Sequence, residues 1–255
     1  MNSNLSESPW FAFLKPRPMA RLRLFCLPYA GGGASIYRTW GSDLPMEIEV
    51  IPVQLPGRER RMRERAFTQM APLVAELTDV VAGSIDSRPF AFFGHSMGAA
   101  IAYEIAHRLR QQGSPLPSRL LVSGRSAPQL EGDGKHYYDL PDDEFRERLR
   151  EIEGTPEEVL DNRELMELMM PLLRADFELI DTYPPTLHDP FELPVTAYGG
   201  LGDDEVPEDE VEAWSAVTRG AFKKRMFAGG HFFLNEQGTR NALLGAVADD
   251  LLRGL

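Results

Sequence analysis

Apolar residues along the chain fall into two alternating kinds of run. Short strand-like runs stand at RLRLFCLP (21–28), EIEVIPVQ (47–54), FAFFG (90–94), RLLVSG (119–124), PVTAYGG (194–200) and KKRMFA (223–228). Several are almost wholly apolar, as strands covered on both faces are. Longer runs with helical spacing stand between and after them: QMAPLVAELTDVVAGSI (69–85), MGAAIAYEIAHRLRQQG (97–113), EDEVEAWSAVTRG (208–220) and NALLGAVADDLLRGL (241–255). Gly113 is a suitable terminator for the second. The alternation predicts an α/β fold with a mainly parallel central sheet flanked by helices.

One stretch breaks this rhythm. About 70 residues separate Gly124 from Pro194, far more than a strand–helix unit needs. They hold two helical patterns, 141–154 and 162–183, with Asp142 or Asp143 expected to cap the first and Asn162 the second. A helical insertion over the sheet, spanning about 125–190, is therefore expected.

Composition narrows the class. A chain of 255 residues, 43% hydrophobic and without a Gly/Ser- or Pro-rich linker, suits one domain over 21–255 preceded by a tail, 1–20, that packs by its aromatics. The net charge of −12 argues against nucleic acid and anionic membrane as partners. No run approaches the roughly 18 apolar residues of a membrane span, and WFAFL (10–14) is too short for a signal-peptide core. A cytoplasmic location is expected. The one cysteine, Cys26, excludes an internal disulfide framework and a cysteine-cluster metal site; neither metal nor cofactor is expected.

The chemistry centres on GHSMG (94–98), which stands between a strand-like and a helical run. In G-x-S-x-G the serine sits on a sharp turn with little room for side chains two positions away, which Gly94 and Gly98 supply. Ser96 is then a nucleophile, and the Met97 N–H points at the site where an oxyanion forms. A serine hydroxyl needs a base. His95 is adjacent only in sequence and is read as a structural neighbour; His107 lies about three turns into the following helix. His231, in the loop after the last strand-like run, points to the same sheet edge as the elbow. In chain order the orienting acid comes between them, and AYGGLGDDEV (197–206) offers Asp203, the preferred candidate, and Asp204. A second oxyanion donor is expected in LPYAGGGAS (27–35), whose glycines let backbone amides approach a carbonyl oxygen; no Gly-Lys-Ser/Thr follows, so a phosphate loop is rejected.

Five blocks, LPYAGGGASIYRTW (27–40), VQLPGRERR (53–61), FGHSMGAAIAYEIA (93–106), YGGLGDDEV (198–206) and GGHFFL (229–234), together resemble the type II thioesterases of polyketide and nonribosomal peptide assembly lines. The resemblance runs from about residue 20 to the end. It implies an α/β-hydrolase fold, a Ser96–Asp203–His231 triad and an oxyanion hole from the backbone N–H groups of Ala30 and Met97. The 125–190 insertion would be a lid over an acyl chamber. The implied partner is an acyl or peptidyl carrier protein bearing an acyl-phosphopantetheine arm, which the enzyme clears of unwanted acyl groups. A monomer is expected, and the start at Met1 without a fused carrier domain favours a free-standing protein. A carboxylesterase or lipase with the same triad is the alternative, and a non-hydrolytic binder the reading from another class.

Two further patterns gain meaning from that resemblance. Met166, Met169 and Met170 could line an adaptable acyl cavity or simply pack as an amphipathic helix does. GRERRMRER (57–65) has a local excess of three positive charges, so Arg58, Arg60 and Arg61 are candidates for docking an acidic, phosphate-bearing partner, against the plainer reading of a solvated, salt-bridged loop.

Overall fold

The structure, a computed structural model, describes residues 5–132, 134–186 and 188–253. Among them, β1 (Leu22–Leu27), β2 (Ile48–Pro52), β3 (Phe90–His95), β4 (Arg119–Ser123), β5 (Val195–Gly200) and β6 (Phe222–Phe227) form one sheet in the order β2-β1-β3-β4-β5-β6, every neighbouring pair parallel. The helices are α1 (Trp40–Asp43), α2 (Met70–Ala82), α3 (Met97–Gln111), α4 (Asp142–Glu151), α5 (Glu157–Leu160), α6 (Arg163–Asp181), α7 (Glu208–Glu212) and α8 (Gln237–Leu252).

Strand periodicity sorts the core onto two faces. Phe25, Phe90, Phe92, Leu120 and Val122 point to the face covered by α2 and α3, through Leu73, Leu77, Ile101 and Ile105. Leu24, Cys26, Ala91, Phe93 and Leu121 point to the opposite face, covered by α8 and the Tyr37–Leu44 segment, through Trp40, Leu243, Val247 and Leu251. Each fully buried phenylalanine contributes roughly 1.5–3 kcal/mol on removal from water, so β3 alone commits the sheet to being covered on both sides. The segment before β1 joins this core: Trp10 and Phe11 are buried, and Phe11 bridges Val53 in antiparallel fashion.

Between β4 and β5 the helices α4, α5 and α6 build a third, separate core of Phe145, Leu149, Leu160, Met166, Met170 and Leu173. Asn162 caps α6, its Oδ1 accepting from Leu165 N at 3.1 Å. The expected Asp142 or Asp143 cap of α4 is not formed. Pro141 stands at that position, and the Asp142 carboxylate instead accepts from Arg174 at 2.6 Å. Asp142, Asp143 and Glu144 still place negative charge in the first turn, where the helix dipole favours it.

Other boundaries differ for local reasons. The helix expected over 208–220 stops at Glu212 and continues as a tighter 3-10 turn, Ala213–Val217. α8 begins four residues earlier than expected, at Gln237, because its polar first turn carries no apolar periodicity. Its last residues expected from sequence, 254–255, lie outside the described residues.

Candidate active site

All six strands run the same way, so the loops after β1, β3, β5 and β6 gather at one sheet edge, where α/β folds build their sites. The turn after β3 holds Ser96 at φ 50° and ψ −116°, a left-handed conformation that side-chain-bearing residues rarely adopt. The flanking glycines explain how it is tolerated. A Cβ on Gly94 would overlap Gly98 O, and one on Gly98 would overlap Leu27 O and Pro28 O. The same absence of side chains seats the first turn of α3 against the end of β1. It brings Met97, the first residue of that helix, beside the loop that carries Ala30.

His231 and Asp203 meet across the loops after β6 and β5. His231 Nδ1 lies 2.9 Å from Asp203 Oδ2, and the Asp203 carboxylate is buried. Asp203 Oδ1 accepts from Glu205 N (2.9 Å) and Val206 N (3.1 Å), an Asx-type turn that fixes the carboxylate plane. Asp204 is exposed. Gly202 N donates to Gly229 O at 2.9 Å and Leu201 N to Phe227 O at 2.7 Å, so the sheet ladder continues into the loops and holds acid and base in register.

His95 is the packing hub beneath these loops. Its ring lies 5.3 Å from that of His231, 5.8 Å from Tyr29 and 5.7 Å from Phe233, and Nδ1 sits 2.9 Å from Ser123 Oγ. A Cβ on Gly124 would come within 2.5 Å of the His95 ring. Burial, and then the nearby His231, push the His95 pKa well below the ordinary histidine value. It is a neutral structural neighbour of the serine. His107, packed 3.9 Å from the Phe191 ring and 4.0 Å from His188, is likewise pushed down, to about 2, by burial first and then by His188 and Arg110.

Both histidines are neutral in the fold, whereas the unfolded chain protonates them below about pH 6.5. The stability they permit is therefore complete above that pH. It falls as pH drops toward their folded pKa, by up to about 1.4 kcal/mol per pH unit for each. Tm is expected to fall between pH 7.5 and 5, and His107→Phe, which keeps a ring against Phe191, is expected to lessen the slope; a Tm flat over this range would contradict the burial argument.

The helical insertion between β4 and β5 touches each of these loops. Arg148 of α4 pairs with Glu205, two residues after Asp203. A Cβ on Gly154 would come within 2.6 Å of Phe232, next to the base. From α6, Asp176 accepts from Gly31 N at 2.7 Å, next to Ala30, and takes a bidentate pair from Arg58 at 2.8 Å on each oxygen. Sequence reading missed Asp176. The signal was present, since it lies on the same helical stripe as Leu173, and an acid on an apolar stripe demands a buried partner.

That partner corrects the docking expectation for two arginines. Arg58 is 4% exposed and also donates to Gly32 O and Pro56 O. Arg61 is 6% exposed, pairs with Glu64, donates to Gln54 O and lies 4.2 Å from the Trp10 ring. Their charge is spent inside the molecule, and neither presents it to a partner. Arg60, 5.8 Å from the Phe13 ring, is exposed, as are Arg63 and Arg65. Of the three methionines, Met166 is fully buried and Met170 nearly so among the apolar residues of α4, α5 and α6, with Met169 packed at their margin, which fits the plainer reading of an amphipathic helix for Met166 and Met170.

Among the described residues, no cluster of His, Cys, Asp and Glu has the arrangement of a metal site, and no helix is long and apolar enough to cross a membrane.

Comparison with known proteins places this arrangement in context. The model of the thioesterase domain matches residues 22–251. The chain is 44% identical to the gramicidin S biosynthesis protein GrsT of Aneurinibacillus migulanus, over 89% of this chain and 88% of that protein. It is 37% identical to thioesterase PikA5 of Streptomyces venezuelae, over 92% and 83%. RedJ, a thioesterase from the prodiginine biosynthetic pathway of Streptomyces coelicolor, superposes with a TM-score of 0.87 at 39% identity, over 92% of each chain. With the family's fold, the elbow serine and the acid–base pair at one sheet edge, the chain belongs to the thioesterase family of α/β-hydrolases.

Proposed function

We propose that the protein is a type II thioesterase that hydrolyses unwanted acyl groups from the phosphopantetheine arm of carrier proteins in a nonribosomal peptide or polyketide pathway. The observation that carries this reading is the strained elbow serine after β3, at the same sheet edge as the loops that join His231 to Asp203. Near full-length similarity to GrsT, named for gramicidin S biosynthesis, and to RedJ, from the prodiginine pathway, supports the pathway class.

In this reading Ser96 Oγ attacks the thioester carbonyl while His231 takes its proton through Nε2. Asp203, bonded to Nδ1, fixes the tautomer and stabilises the imidazolium. The N–H groups of Ala30 and Met97 receive the oxyanion. Collapse expels the thiol and leaves an acyl-enzyme. A water molecule deprotonated by His231 then attacks the ester and releases the acid. A thiol leaves readily, so protonation of the leaving group matters less than in peptide cleavage. The lid shelters the acyl chain, and the protein acts as a monomer in the cytoplasm.

Paired assays test the substrate class. Acyl-carrier thioesters are expected to be turned over in preference to matched oxygen esters; the reverse order would favour a carboxylesterase. Of the arginines in this loop, only Arg60, Arg63 and Arg65 are exposed for docking. Reversing the charge at Arg60 and Arg63 is expected to raise KM for acyl-carrier substrates and to leave small acyl-thioesters unchanged. Equal effects on both would remove the loop from docking.

A further inference from the structure

The Asp176 carboxylate joins three segments that are far apart in sequence. It sits on lid helix α6, accepts from Gly31 N in the loop after β1, and is held on both oxygens by Arg58 from the loop after β2. Arg58 Nη1 also donates to Gly32 O, so the loop is gripped through an N–H by the acid and through a carbonyl by the base. Gly31 has φ +75°, and a Cβ there would come within 2.6 Å of Leu173, one turn before Asp176 on the same helix. Glu59 closes the other side: its Oε1 accepts from Ser35 N at 3.1 Å, and a Cβ on Gly33 would overlap it. Gly31 and Gly33 of this loop therefore make room for neighbouring side chains.

We infer that Asp176 and Arg58 are positioning residues, which hold the Tyr29–Gly33 loop so that the Ala30 N–H meets the forming oxyanion and which tie that placement to the seated lid. The Ala30 and Gly31 N–H groups lie on successive peptide planes that share the Ala30 Cα, so anchoring Gly31 N leaves only the Ala30 φ and ψ by which the Ala30 N–H can turn. When α6 lies in place the loop has its anchor; lifting α6 removes the acceptor from Gly31 and the counter-ion from Arg58 together. The lid and the oxyanion site are then one mechanical unit. This rests on the serine-hydrolase reading above.

The test uses a small acyl-thioester and a matching trifluoromethyl ketone, which forms an oxyanion adduct with an active serine. The double variant Arg58→Met/Asp176→Leu removes both charges, which avoids leaving one buried and unpaired, and removes the acceptor for Gly31. It is expected to retain a cooperative thermal transition while kcat falls about a hundredfold, in line with the cost of displacing a catalytic group by about 1 Å. KM is expected to change little, and ketone affinity to fall in parallel with kcat. Asp176→Asn can keep an oxygen on Gly31 and lose only half of the arginine fork, and its kcat is expected to fall about tenfold, between the extremes. A folded double variant with unchanged kcat and ketone affinity overturns the inference. If that variant does not fold, a folded Asp176→Asn with unchanged kcat and ketone affinity does the same. Wild type and Ser96→Ala run alongside: hydrolysis that survives in Ser96→Ala counts against the hydrolase reading itself, not against the role of Asp176.

Discussion

Replacing Ser96 with alanine is expected to reduce thioester turnover by at least about four orders of magnitude, the scale on which a triad nucleophile acts, with Tm left near its starting value. The backbone at Ser96 is strained whether the residue is serine or alanine, since both bear a Cβ at φ 50°. What the elbow relies on is the close approach of Gly94 to Gly98 and of Gly98 to Leu27 and Pro28, none of which involves the hydroxyl. Removing it thus takes away the reacting atom and little of the packing. Turnover of an acyl-thioester and thermal melting of the same preparation check both halves. Undiminished hydrolysis by a folded Ser96→Ala variant would end the nucleophile assignment.

The second large effect separates the two adjacent acids. Asp203→Asn is expected to lower kcat by about ten thousandfold, as loss of the orienting carboxylate does elsewhere. The reason is visible in the bonding. The N–H groups of Glu205 and Val206 both require an acceptor at the Oδ1 position, so the asparagine oxygen stays there. The amide NH2 is then left facing His231 Nδ1, donating where the carboxylate accepted. That forces the proton onto Nε2, the atom that in the proposed mechanism accepts from Ser96. Asp204→Asn, at an exposed position, is expected to change kcat by no more than roughly twofold, the usual range for a surface substitution. Steady-state kinetics on the two variants decide it; a large loss at Asp204 with Asp203→Asn near wild type would exchange their roles.

The sheet was legible because buried parallel strands announce themselves as apolar runs. All six runs identified from sequence became strands, including the charged KKRMFA, which became the edge strand β6. The elbow and the two loops that carry Asp203 and His231 were legible because their pattern is local: a few glycines beside one chemistry-bearing residue. The acid–base contact itself fits the preference for Asp203 over Asp204. What stayed hidden depends on distant partners. Nothing near Arg58 in the chain says that its partner is Asp176, on the far side of two strands and most of the β4–β5 insertion. A cluster of arginines read as a surface therefore proved to be half interior. Short helices α1 and α5, of four residues each, were also missed, since a single turn has no period to detect.

The order of the sheet leaves two outer strands, and the molecule guards them by unlike means. Along β2, residues 10–12 lie across its carboxyl end, with Ala12 N donating to Pro52 O and Gln54 N to Trp10 O, and Pro52 has no N–H to offer. Along β6, three consecutive cations are leashed by acids, Lys223 and Arg225 by Asp250 and Lys224 by Glu208 and Glu212. A strapped edge and a charged edge both discourage another chain from adding a strand. In the proposed role, an enzyme that docks carrier domains and releases them gains from sheet edges that discourage strand addition.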